Sequence, residues 1–138
     1  MSAIFTSKAT AKGGRGGHVK SDNGVIDLNV VMPTEKTDET GTNPEELFAA
    51  TYATCFDGAI GAVAQDKKVD VESTTHSEVS FMKDKEDGGF KISVKLISEF
   101  KGVSQDKADE LMKAAHQVCP YSKATRGNVD VELEARAI

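Results

Sequence analysis

The stretch TNPEELFAATYATCFDGAIGAVAQDK, residues 42 to 67, decides the fold. It reads as one long helix with a cysteine in its apolar middle. Thr42 or Asn43 can cap its entry, and Pro44 falls in the first turn, where a missing N–H and a fixed φ cost nothing. Glu45 lies three positions after Thr42, so a capping box is available, and its carboxylate sits at the positive end of the helix dipole. From Leu47 to Ala64 nearly every position is apolar or small, with Thr51, Tyr52 and Thr54 the polar exceptions before Asp57. A helix apolar nearly all round is buried on most sides. Cys55 falls near its centre and shares a face, by three-and-four spacing, with Phe48, Thr51, Ala59 and Ala62. A lone cysteine in such a place ordinarily packs as a small hydrophobe.

On the N-terminal side, residues 2 to 12 (SAIFTSKATAK) alternate loosely and suit a strand ending at Gly13. GGRGG, residues 13 to 17, holds Arg15 between two glycine pairs, so the backbone is free to turn and one guanidinium is the only functional group. The residue pattern alone fits a flexible turn with a solvated arginine, and it meets neither GxGxxG nor Walker spacing. His18 to Ser21 and Val25 to Met32 flank Asp22-Asn23-Gly24, the strongest short hairpin signal in the chain. Pro33 stops the second of these strands, and residues 34 to 41 (TEKTDETG) form a polar loop into the helix.

On the C-terminal side, Val69 to Lys83 reads as a strand with Val79 and Phe81 on one face, and Asp87-Gly88-Gly89 turns the chain. Phe90, Ile92, Val94 and Leu96 then alternate with Lys91, Ser93 and Lys95, as in an antiparallel strand with one face on a core. His76 sits on the first of these strands as a solvated or locally bonded imidazole. A second helix starts at the N-cap Ser104, with Asp106 in its first turn and an apolar stripe of Ala108, Leu111, Met112, Ala115 and Val118. Met112 reads as core filler. Pro120 cannot continue the helix, so Cys119 stands at its exit, with His116 in the last turn. Residues 128 to 137 alternate again and form a last half-buried strand. The order is α+β with antiparallel pairing rather than a βαβ repeat.

The 138 residues suit a single domain, 1–138, with 38% apolar and 28% charged positions. No uninterrupted apolar run approaches bilayer length, and no basic segment leads into an apolar one near Met1, so a cytoplasmic location is expected. A net charge of −5 argues against nucleic acid or an anionic membrane as partner. Two cysteines in that compartment are an unlikely staple, since a disulfide formed there is usually catalytic or sensing. Three scattered histidines and no C-x-x-C make a poor zinc site. A helix of about 24 residues is roughly 36 Å long. One small sheet cannot cover it, which points to a homodimer that shares it.

GGRGG around Arg15, GTNPEELFAATYATCF from Gly41 to Phe56, and AAHQVCPYSKATRGNVDV from Ala114 to Val131 together resemble the organic hydroperoxide resistance branch of the OsmC-like family. The resemblance covers essentially the whole chain, and the cysteine separation of 64 positions fits it. Departures are small: the stretch before the long helix is short, and Gly16 stands where an acidic residue is frequent. The resemblance implies antiparallel sheets wrapped around a long central helix in an intertwined homodimer. It implies a thiol-dependent peroxidase with Cys55 as peroxidatic thiol, Cys119 as resolving thiol, and Arg15 and Glu45 as the polar pair. It also implies organic hydroperoxides as substrates, dihydrolipoamide or lipoylated proteins as reductant, and no cofactor. His116 and Arg126, close to the second motif, are candidates for supporting roles. Two other readings stay open, a broader-specificity OsmC-type peroxidase and a non-enzymatic dimer that binds an apolar ligand.

The chemistry fits these residue types. An ordinary cysteine is mostly protonated at neutral pH, and burial protonates it further, so a thiolate nucleophile needs a cation nearby. Arg15 stays charged and offers a fork of donors, and Glu45 can fix it by a bidentate pair. Glu45 and Cys55 are ten residues apart, about 15 Å along a helix axis, which leaves direct contact between them out of reach. Phe48, Tyr52 and Phe56 would make apolar surroundings that favour an alkyl hydroperoxide over hydrogen peroxide.

Overall fold

Pro44 fixes where the long helix begins. In the computed structural model, which describes residues 1–138, helix α1 runs Pro44–Asp66, 23 residues. With proline at the first helical position Asn43 becomes the N-cap, and its Oδ1 accepts from the Glu46 backbone N–H at 2.8 Å. Thr42 Oγ1 donates to Glu46 Oε1 at 2.8 Å. The capping arrangement therefore uses Asn43 and Glu46 in place of Thr42 and Glu45. That one-residue shift leaves the Glu45 carboxylate for another partner.

The chain forms two compact units, Met1–Leu47 and Phe48–Ile138. In the first, strands β1 (Ala9–Lys12), β2 (His18–Ser21) and β3 (Asp27–Asn29) make an antiparallel sheet in that order. The hairpin at Asp22-Asn23-Gly24 is present: Gly24 has φ 76°, and Asn23 Oδ1 accepts from Ser21 Oγ and the Val25 N–H. The strand expected over residues 2 to 12 is only its last four residues. Its partner β2 is four residues long, in register from Ala9↔Ser21 to Lys12↔His18, so Ile4 and Phe5 have no strand opposite and stay exposed. The loop of residues 34 to 41 returns to the sheet, where the Thr42 N–H donates to Asn29 O at 2.8 Å.

In the second unit, β4 (Glu72–Lys83) pairs antiparallel with β5 (Phe90–Lys101) along all twelve residues. Strand β6 (Val131–Ala137) pairs with β5 in parallel, Val94↔Val131 to Phe100↔Ala137. The expectation of purely antiparallel pairing fails here. Helices α2 (Gln105–Val118) and α3 (Pro120–Thr125) carry the chain back to the same end of the sheet, a crossover that makes a parallel neighbour possible. Ser104 caps α2 as expected, its Oγ accepting from the Lys107 N–H at 3.2 Å.

The core of this unit comprises Tyr52, Phe56, Ile60 and Val63 of α1, Val94, Leu96 and Phe100 of β5, and Ala108, Leu111, Met112 and Ala115 of α2. Asp57 ties α1 to the sheet, accepting from Ser73 Oγ at 2.8 Å and Thr75 Oγ1 at 2.9 Å. By length and composition alone α1 would pass for a membrane span. Its large side chains instead enter this core. Burial on most sides does not hold within one chain, because Ala50, Thr54, Gly58, Gly61 and Ala62 are exposed.

Candidate active site

Glycine makes the turn that presents Arg15. Gly13 sits at φ 81°, and a Cβ on Gly17 would lie 1.8 Å from Lys12 O, so neither position tolerates a side chain. Between them Gly14–Gly16 wind one 3-10 turn. The Arg15 guanidinium meets Glu45 as a fork, Nη1 donating to Oε2 at 2.9 Å and Nη2 to Oε1 at 2.7 Å. This hydrogen bonding raises the arginine pKa and lowers that of Glu45. The arginine predicted to be a solvated turn residue by pattern alone is thus held by the carboxylate that the cap left over.

The two cysteines, 64 residues apart in sequence, meet as free thiols, Cys119 Sγ donating to Cys55 Sγ at 3.5 Å. Cys55 is half-buried and Cys119 has no exposed surface. Cys119 is at once the residue that ends α2 and the one that opens α3, in extended conformation (φ −62°, ψ 123°). Pro120 follows as the first residue of α3, and the next N–H, that of Tyr121, has no partner inside so short a helix. It donates to Cys55 and pulls that thiol's pKa down. Burial and the neighbouring Cys119 outweigh it, so the Cys55 thiol is raised above its ordinary range.

Around this pair lies a buried polar chain that the spacing of residues did not single out. Tyr52, one turn before Cys55 on α1, has no exposed surface. Its hydroxyl lies 2.8 Å from Ser122 Oγ and 3.2 Å from Thr125 Oγ1. Ser122 Oγ also meets His116 Nδ1 at 2.8 Å, and Arg126 Nη2 donates to His116 O at 2.7 Å. His116 and Arg126, the candidates for supporting roles, thus meet Ser122 and the His116 carbonyl. Tyr52 and Phe56 are core residues without exposed surface, so of the three aromatics expected around Cys55 only Phe48 is half-open to solvent.

The structure thus brings Cys55 to Cys119 within Phe48–Ile138, and Arg15 to Glu45 within Met1–Leu47. Residues 36–134 match the OsmC-like protein family. The organic hydroperoxide resistance protein OhrB of Bacillus subtilis (strain 168) is 56% identical over 135 residues, 97% of this chain and 99% of that protein. OhrA of the same strain is 48% identical over 134 residues, 95% of each. The crystal structure of B. subtilis OhrB matches with a TM-score of 0.93 at 56% identity, over 96% of this chain and 98% of that one. An organic hydroperoxide resistance protein from Elizabethkingia anophelis matches with a TM-score of 0.92 at 42% identity over the whole of both chains. Likeness that runs from end to end in sequence and in backbone, and is not confined to the cysteine motifs, leads to one conclusion: the chain belongs to the OsmC-like protein family.

Proposed function

We propose that this protein confers organic hydroperoxide resistance as a thiol-dependent peroxidase that reduces alkyl and fatty acid hydroperoxides to alcohols. The observation that carries the reading is the 3.5 Å approach of two free thiols from distant parts of the chain. The names of its relatives supply the substrate class. The Cys55 thiolate attacks the distal peroxide oxygen; the O–O bond breaks, the alkoxide takes a proton and leaves as an alcohol, and Cys55 becomes a sulfenic acid. The Cys119 sulfur then displaces hydroxide from that sulfenic acid, giving water and the Cys55–Cys119 disulfide. A lipoyl dithiol, free or protein-bound, reduces the disulfide by exchange and is itself oxidised to the cyclic disulfide.

Burial holds Cys55 protonated, so the first step needs a cation, and we assign that part to Arg15, with Glu45 as its counter-charge. The working protein is a single-domain polypeptide in a cytoplasmic homodimer. Stopped-flow mixing with cumene hydroperoxide tests the reading: two thiols are lost per peroxide consumed, dihydrolipoamide restores them, and Cys55→Ser abolishes turnover. A protein that merely binds an apolar ligand would keep that ligand in the serine variant and consume no peroxide. Equal turnover of hydrogen peroxide and cumene hydroperoxide would refute the substrate preference.

A further inference from the structure

Ser122 is the buried hub of a polar chain that ends at the partly exposed His116. It has no exposed surface, and Thr125 is 4% exposed. Its Oγ is shared by Tyr52 OH and His116 Nδ1, both at 2.8 Å, so one hydroxyl ties together α1, the last turn of α2 and the body of α3. Thr125 Oγ1 adds a second tie from α3 to Tyr52 at 3.2 Å and donates to Ser122 O at 3.2 Å. With His116 neutral and unprotonated at Nδ1 the donors run in one direction, Tyr52 to Ser122 to His116. With Nδ1 protonated they reverse, and the Tyr52 hydroxyl donates to Thr125 Oγ1. The chain is satisfied either way.

The three elements so joined are those that carry or flank the cysteines. Cys55 lies three residues after Tyr52 on α1, and Cys119 is the single extended residue between α2 and α3. The sulfurs must close from 3.5 Å to about 2.05 Å when the disulfide forms. What holds the α2–α3 joint against α1 therefore sets how often the sulfurs come within bonding reach. We propose that Tyr52, Ser122 and His116 are positioning residues for the resolving step, holding Cys119 at the Cys55 sulfenic acid so that the disulfide forms before a second peroxide arrives. This rests on the peroxidase reading above and adds to it the residues that protect the enzyme from over-oxidation.

Two fates compete for the Cys55 sulfenic acid. Cys119 attacks its sulfur and releases water, or a second hydroperoxide oxidises it to sulfinic acid and leaves as alcohol. Only the first depends on the joint. Ser122→Ala removes the hub and Tyr52→Phe one arm, and each is examined for three quantities with cumene hydroperoxide: first-step rate, disulfide closure rate, and sulfinic acid per turnover by mass spectrometry. In Ser122→Ala we expect the first step within twofold of wild type and closure slowed roughly tenfold, the rate equivalent of about one lost neutral hydrogen bond. The peroxide concentration that inactivates half the protein falls by the same factor. Leu96→Val, which loosens the same core away from the chain, lowers thermal stability without changing the partition, and His116→Gln, which keeps a hydrogen-bonding tip, stays nearer wild type than His116→Leu. If the wild type forms the disulfide and Ser122→Ala closes it equally fast, or if Leu96→Val over-oxidises to the same degree, the positioning role is overturned and the peroxidase reading stands. If the wild type forms no Cys55–Cys119 disulfide with peroxide, the peroxidase reading falls and takes this one with it.

Discussion

At the scale of single residues, the thiol and the guanidinium pose complementary problems. Cys55 is pushed toward its neutral form by burial and by Cys119, with only the Tyr121 N–H opposing, while Arg15 carries a permanent charge fixed by two hydrogen bonds to Glu45. Under the proposed chemistry Arg15→Met should slow the first oxidation by about 10²–10³, as for loss of a preorganised donor to developing negative charge. Arg15→Lys should recover little of this, because an ammonium cannot hold the fork. Circular dichroism unchanged with stopped-flow rates down establishes this; rates near wild type in both variants remove Arg15 from the mechanism. Two histidines offer a second check. His18 lies between Asn29 Oδ1 at 2.9 Å and Asp27 Oδ1 at 2.5 Å, acceptors that raise its pKa, and burial, then Arg126, lower that of His116. NMR titration of the ring protons should place His18 above and His116 below the unperturbed value of about 6.5. The stability contributions carry opposite signs. That of His18 is fully present below its unfolded pKa and lost as pH rises through its folded one; that of His116 is present above its unfolded pKa and lost as pH falls through its folded one. Both cysteines could be singled out in the sequence because the resemblance to the organic hydroperoxide resistance branch of the OsmC-like family marks them. The Tyr52–Ser122–His116 chain could not, since its members are 70 and 6 positions apart and no local pattern joins them.

At the scale of elements, local rules located α1, α2 and the β4–β5 hairpin because each is decided by nearby residues: Pro44 and Asn43, Ser104 and Pro120, Asp87-Gly88-Gly89. Where the deciding partner is remote, the reading stopped short. Strand β6 alternates as any half-buried strand does, and nothing in that alternation says whether its neighbour runs parallel. Helix α3 is six residues long, too short for a period to emerge, and is held by Cys119, Pro120 and the ties through Ser122. The start of α1 shows how one position matters. Two acidic residues follow Pro44, and which one enters the cap decides which one is left for Arg15. Asn43→Ala should cost about 1 kcal/mol by urea unfolding, a usual cap value. Under the proposed chemistry it should also reduce turnover of organic hydroperoxide, because fraying of the first turn moves Glu45. A stability loss with unchanged activity would separate the cap from the function of the ion pair.

For the molecule as a whole, the surface left open is the informative quantity. Ile4, Phe5 and Val25 are more than four-fifths exposed, and the outward face of α1 runs Ala50, Thr54, Gly58, Gly61 and Ala62 without a charge. Residues that small admit close approach of another backbone, and an uncharged helix face gains little from water. The helix reads as apolar all round, and a single chain covers only one side of it. The proposed homodimer therefore predicts a specific sensitivity. Gly58→Asp or Ala62→Glu places a carboxylate on the exposed face of α1, where it meets no buried neighbour within the chain and should leave an isolated protomer's fold intact. In a dimer that closes over this face the charge would be buried unpaired, at a cost of several kcal/mol. Sedimentation equilibrium should then show wild type dimeric at nanomolar concentration and both variants shifted to monomer by at least a hundredfold, with lowered thermal stability. If both variants assemble as the wild type does, the outward face of α1 is not the shared surface.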